Sequence, residues 1–83
     1  MLKALIACRS VTYAQRAVRV LHKAGLKASM RRLPANLPEV DCGHAVRVDR
    51  EHLTKALTLM NEAGFPSRVY FCEAEDGEVA TCP

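Results

Sequence analysis

Leu21-His22-Lys23-Ala24-Gly25-Leu26 returns, loosely, as Met60-Asn61-Glu62-Ala63-Gly64-Phe65. Each copy reads as the end of a helix entering a strand. An apolar residue closes the buried stripe, a glycine supplies the left-handed cap, and the next apolar residue starts an extended segment. Before the first copy, Ala14, Ala17, Val18, Leu21 and Ala24 recur at helical spacing, with Arg16, Arg19, His22 and Lys23 on the other side. Before the second copy, Leu53, Ala56, Leu57, Met60 and Ala63 do the same. Thr12 and Gln15 have the spacing of a capping box for the first helix. Asp49 stands as the cap of the second helix, with Glu51 in its positive first turn.

Strands flank both helices. Lys3 to Cys8 is an apolar run one strand long. Leu26 to Leu33 alternates, with Ala28 and Met30 inward. Cys42 to Val48 alternates with Val46 and Val48 inward. Arg68 to Cys72 is read with Val69 and Phe71 inward. Pro34 and Pro38 interrupt the chain between the second and third strands, because each removes an amide donor and fixes φ. The expectation is therefore an α+β chain, β-α-β-β-α-β, with right-handed halves. Packed in the usual way this is a ferredoxin-like sandwich: a four-stranded antiparallel sheet with both helices on one face and the first and third strands central. Residues 1–72 form the expected domain, and the acidic segment 73–83 is expected as a flexible tail.

Composition sets limits. Eighty-three residues are one small domain, and a content of 49% hydrophobic and 25% charged residues is that of an ordinary globular protein. No apolar run approaches the roughly 20 residues of a membrane span. Met1 to Cys8 is short and runs into Arg9, so it is read as a strand, not a signal peptide, and the cytoplasm is the expected location. A net charge of +3 permits an acidic partner without demanding nucleic acid. Cysteines at 8, 42, 72 and 82 include no C-x-x-C pair; a zinc knuckle would want closer pairing, and in a reducing compartment no disulfide framework is expected. No cofactor motif is present.

The chemistry gathers at Asp41-Cys42-Gly43. In the expected topology the first and second strands end, the third begins and the first helix starts at one edge of the sheet. That edge brings together Cys8, Cys42 and Arg9-Ser10. A helix amino end and a nearby guanidinium lower a thiol pKa, and the thiolate is the attacking species. Gly43 lets the backbone approach closely or take positive φ beside it. Asp41, next to Cys42, acts in the opposite sense by like-charge repulsion. Cys72 falls at the opposite edge and is read as structural.

The stretch Ser10 to Gly25, followed by Leu33-Pro34 through Asp41-Cys42-Gly43-His44-Ala45, resembles the selenium/sulfur carrier protein-like family of small bacterial and archaeal proteins. The resemblance covers roughly residues 3 to 72. It implies that Cys42 carries reduced sulfur or selenium as a persulfide or perselenide. It also implies a cysteine desulfurase-type donor and a sulfur- or selenium-using acceptor as partners, and a carrier without turnover of its own.

Other uses of these residues are open. Cys8 is placed to resolve a mixed disulfide on Cys42. Cys82, near the chain end, is placed as a mobile relay thiol, so a redox protein cycling Cys8–Cys42 or Cys42–Cys82 is an alternative. Cys42 and His44 share a strand face, but a metal would need Cys8 or Asp41 as well. By parity the outer sheet face presents Lys3, Leu5, Lys27, Ser29, Arg31, Arg47, Arg68 and Tyr70. That basic surface suits an acidic protein or a second copy, and a non-catalytic interaction module acting through it is a further alternative. With Tyr70 its single aromatic, it does not suit RNA.

Overall fold

The computed structural model describes residues 2–35, 37 and 43–82. The elements run β1 Lys3–Cys8, α1 Val11–Lys23, β2 Ala28–Arg32, β3 His44–Asp49, a 3-10 turn Arg50–His52, α2 Leu53–Glu62, β4 Tyr70–Glu73 and β5 Val79–Ala80. The architecture is α+β, with two helices and an antiparallel five-stranded sheet of order β2-β3-β1-β4-β5. The repeated helix ends take the form their sequence demands. Leu26 N–H donates to Leu21 O and Gly25 N–H to His22 O, each at 3.0 Å. Phe65 N–H donates to Met60 O at 2.7 Å and Gly64 N–H to Asn61 O at 3.2 Å. Both are Schellman closures, and Gly25 and Gly64 hold φ of 84° and 89°.

The main core lies between the helices and one sheet face. Ala14, Ala17 and Leu21 of α1 and Ala56 and Met60 of α2 pack on Ala4, Ile6, Val46 and Val48, with Leu26 closing the end. Small residues dominate the helix side, so the helices sit close to the sheet. A second, smaller cluster occupies the opposite face: Leu5, Leu33, Ala45 and Phe71, all buried, with Leu37, Val69 and Val79 against them.

That second cluster corrects three expectations. First, β4 is offset by one residue from the expected parity. Phe71 pairs with Leu5 and Tyr70 with Ile6, so Phe71 belongs to the outer face and Tyr70 shares the helix-side face. A one-residue shift exchanges the two faces of a strand. Second, the outer face is not an open basic surface. Leu5 is wholly buried there. Arg31 and Arg47 both bind the carboxylate of Glu73, Arg47 Nε at 2.8 Å from Oε1, and Lys3 binds Asp49. Glu73 is only 5% exposed, so its charge needs these two guanidinium groups. Third, residues 73–82 are not a loose tail. Ala74 and Glu78 close a hairpin, β5 pairs with β4, Arg31 Nη2 donates to Gly77 O, and Cys72 is disulfide-bonded to Cys82. The expectation of no disulfide, which rested on a reducing compartment, missed this bond, because the turn at Asp76-Gly77 returns the chain alongside β4 and brings Cys82 to Cys72.

Two caps also differ. Ser10, not Thr12, caps α1, its Oγ accepting from Tyr13 N at 3.0 Å. Asp49 makes no side-chain cap, because Lys3 holds its carboxylate.

Two outcomes follow. A Cβ at Gly25 or Gly64 would meet nothing within 4 Å, so the cost of alanine is purely conformational. Gly25→Ala and Gly64→Ala each lower the urea-unfolding free energy by about 1 kcal/mol. The Lys3 hydrogen bond, partly opposed by desolvation, holds the Asp49 pKa below its usual 3.8. A lowered folded-state pKa gives stability that is full above the ordinary carboxylate range and lost as pH falls through the folded value. Lys3→Met removes it, so the stability gap between wild type and variant, measured by urea unfolding across pH, is widest near neutrality and closes in acid.

Candidate functional site

β1 fixes the site. Its register against β3 runs from Lys3 opposite Asp49 to Cys8 opposite His44, and β2 ends with Arg32 opposite the same His44. Three strand ends thus meet at one edge, where α1 begins. Gly43 sits at that edge with φ of 75°, and its carbonyl accepts from Leu33 N at 2.6 Å, closing the base of the Pro-rich connection. No Cβ would clash at Gly43, so glycine is required there for its backbone angle and not for space.

Cys42 and Asp41, the centre of the expected site, lie outside the described residues. Their chain neighbour Gly43 is gathered at this edge with Cys8, Arg9, Ser10 and His44. Cys8 is 7% exposed, faces the helix-side core, and its thiol approaches Ile6 O at 3.6 Å. Arg9 is exposed, with its guanidinium 5.5 Å from the centroid of the Tyr13 ring. Ser10 gives its oxygen to the first turn of α1, which holds no acidic residue to offset the positive helix end. Cys82 is elsewhere. Bonded to Cys72, it lies on the β4–β5 side of the sheet, which removes the support for a Cys42–Cys82 couple in this state.

A cavity of about 150 Å³ opens beside Cys8, between Arg9, Tyr13, Phe65 and Ser67, with Met60 at its base. Sites for drug-sized ligands run to roughly 300–1,000 Å³, so this space suits a small ion or the end of a partner's side chain. Its wall is held rigidly. Tyr13 and Phe65 meet edge to face at 5.0 Å, Tyr13 Oη donates to Gly64 O, and Ser67 Oγ donates to Ala7 O at 2.7 Å. Tyr13, Phe65 and Ser67 were not legible as site residues. Tyr13 lies within a helix-start pattern, and the other two lie in a connection whose fold-back onto Ala7 has no local signal.

As for metals, the described residues bring Asp49, Glu51 and His52 together with ligand atoms within 4.8 Å of one another. That group is at the far end of β3, and Asp49 is already engaged by Lys3. Among the described residues, Cys8 and His44 join no such group. No helix among the described residues is long and apolar enough to cross a membrane.

A family model described as "Putative Se/S carrier protein-like" matches residues 3–71. No curated protein and no solved structure matches the chain. The matched span contains the whole of the edge described above and stops before β5 and the disulfide.

Burial sets a reactivity order. In native protein without reductant, Cys8 alkylates far more slowly than in urea, whereas Cys72 and Cys82 stay unmodified until reduced. Peptide mapping after timed iodoacetamide treatment checks this. Rapid native labelling at Cys8 would contradict the placement.

Proposed function

The chain belongs to the Se/S carrier protein-like family, and on that premise we propose that it carries reduced sulfur or selenium on Cys42 and passes it between partner proteins. The observation that supports this reading most is the family match across the β1–β3 edge, with Gly43 held at positive φ directly after Cys42. In this reading the scaffold is a ferredoxin-like β-α-β-β-α-β unit to which β5 is appended, and it acts in the cytoplasm.

The step is a transfer of a sulfur atom. The Cys42 thiolate attacks the terminal sulfur of a donor persulfide, R–S–SH. A new Sγ–S bond forms, the donor's S–S bond breaks, and its electron pair leaves with the donor thiolate. The proton stays with the carried sulfur, and no external oxidant or reductant is needed. An acceptor thiolate repeats the exchange in the outward direction, and selenium follows the same course. Arg9 and the amino end of α1 stabilise the anionic sulfur. Gly43 takes positive φ directly after Cys42 in the chain, Ser10 and His44 stand at the same edge, and Asp41 is the neighbouring carboxylate in sequence. Cys8 backs the site from the core. The partners are a desulfurase-type donor and an acceptor protein.

Treatment with a low-molecular-weight persulfide, followed by intact-mass measurement and peptide mapping, tests the proposal. The expected result is one added sulfur per chain, mapped to Cys42 and absent from Cys42→Ser. An unmodified wild-type chain, or an adduct that persists in Cys42→Ser, rejects it.

A further inference from the structure

The distribution of charge along the chain is lopsided. Eight of the twelve lysines and arginines precede Glu39, the first acidic residue, and all nine acidic residues follow from there. The fold neutralises part of this excess. Lys3 takes Asp49 and Arg31 takes Glu73, both on the outer sheet face. Among the described residues nothing comparable happens on the other side of the molecule. Arg16, Arg19 and Lys23 form a single exposed strip along α1, opposite the buried Ala14, Ala17 and Leu21. Their spacing of three and four residues places them on one helix face, over about 10 Å. Arg9, at the start of the helix, and Arg32, opposite His44, are exposed and continue the positive surface to the site edge. Among the described residues none of these five has an acidic partner.

We infer that this α1 face is the docking surface for an acidic patch on a partner protein, one that comes to rest with its reactive group at the β1–β3 edge. The inference rests on the carrier reading for the partner's purpose, but on charge and geometry for its chemistry. Aligned, exposed cations on a face that leads to a transfer site attract and orient an oppositely charged surface, raising the association rate more than they deepen the final affinity. That suits a carrier, which must release each partner. A nucleic acid fits less well. The strip is interleaved with Thr12 and Gln15 and carries no exposed phenylalanine, tyrosine or tryptophan, and the imidazole of His22 beside it is engaged with Ala28 O at 2.7 Å, so it offers no stacking platform. A compact acidic protein surface would touch α1 alone.

The test uses the full chain and a glutamate-rich synthetic peptide as the acidic probe. Backbone amide shifts followed during titration are expected to move along α1 and at Arg9 and Arg32. Arg16→Glu/Arg19→Glu/Lys23→Glu is expected to weaken binding by about tenfold or more, whereas Lys55→Glu/Arg68→Glu leaves it unchanged. Raised salt weakens the wild-type interaction, because the charges are exposed. Shifts confined to other surfaces overturn the inference, as does tighter binding of a single-stranded RNA of matched charge. Self-association of the chain that the peptide does not compete away also overturns it. The two readings separate cleanly. The triple variant still takes sulfur onto Cys42 from a small persulfide, because its substitutions lie away from that edge. A wild-type chain that binds the peptide on α1 yet takes no sulfur leaves docking intact and removes the carrier reading.

Discussion

Strand β1 is the constraint on which the rest depends. Leu5 and Ile6 are adjacent, wholly buried, and point to opposite faces of the sheet. A slip of one residue would exchange them and disrupt both clusters at once. Burying each is worth roughly 1.5–3 kcal/mol, whereas an exposed ion pair such as those at the surface contributes about 0–1 kcal/mol. Hydrophobic packing on two sides therefore sets the register, and charge pairs follow it. With β1 fixed between β3 and β4, Cys8 must lie opposite His44, and the chain must enter β3 at Gly43. The position of the site is thus a consequence of core packing rather than of any contact within the site.

Much of this was legible in the sequence where local rules act alone. The paired helix ends at Gly25 and Gly64 announce themselves, because only a left-handed glycine closes a helix in that way, and the buried stripes of both helices follow directly from their spacing. The inward positions of β2 and β3 also read correctly, since each strand alternates cleanly. β4 did not. Val69 and Phe71 look like the inward pair of a strand that packs on helices, yet Phe71 is needed on the other side, against Leu5 and Leu33. That need arises only because residues from distant parts of the chain cover the outer face. The burial of Glu73 depends in the same way on Arg31 and Arg47, neither of which is near it in sequence. At the site, Arg9, Ser10 and Gly43 were readable from helix and turn chemistry, whereas Phe65 and Ser67 arrive by a fold-back that no pattern marks.

The two faces of the molecule divide the labour. On the outer face Arg31 and Arg47 hold the buried Glu73 and Lys3 holds Asp49, and the hairpin there is tied by the Cys72–Cys82 bond. The α1 side keeps its cations exposed and leads to the edge where Gly43 turns the chain. A carrier needs such a division: one side closed and stable, the other able to meet partners briefly. The small cavity beside Cys8, walled by Tyr13 and Phe65, opens at that same edge.

The most direct measurement is cyanolysis after exposure to a low-molecular-weight persulfide and removal of the excess. Cyanide takes the outer sulfur of a persulfide as thiocyanate and restores the thiol, so released thiocyanate counts carried atoms. The account predicts one equivalent per chain from wild type and from Cys8→Ser, and none from Cys42→Ser. Release that survives loss of Cys42, or release that vanishes with Cys8 alone, would contradict it.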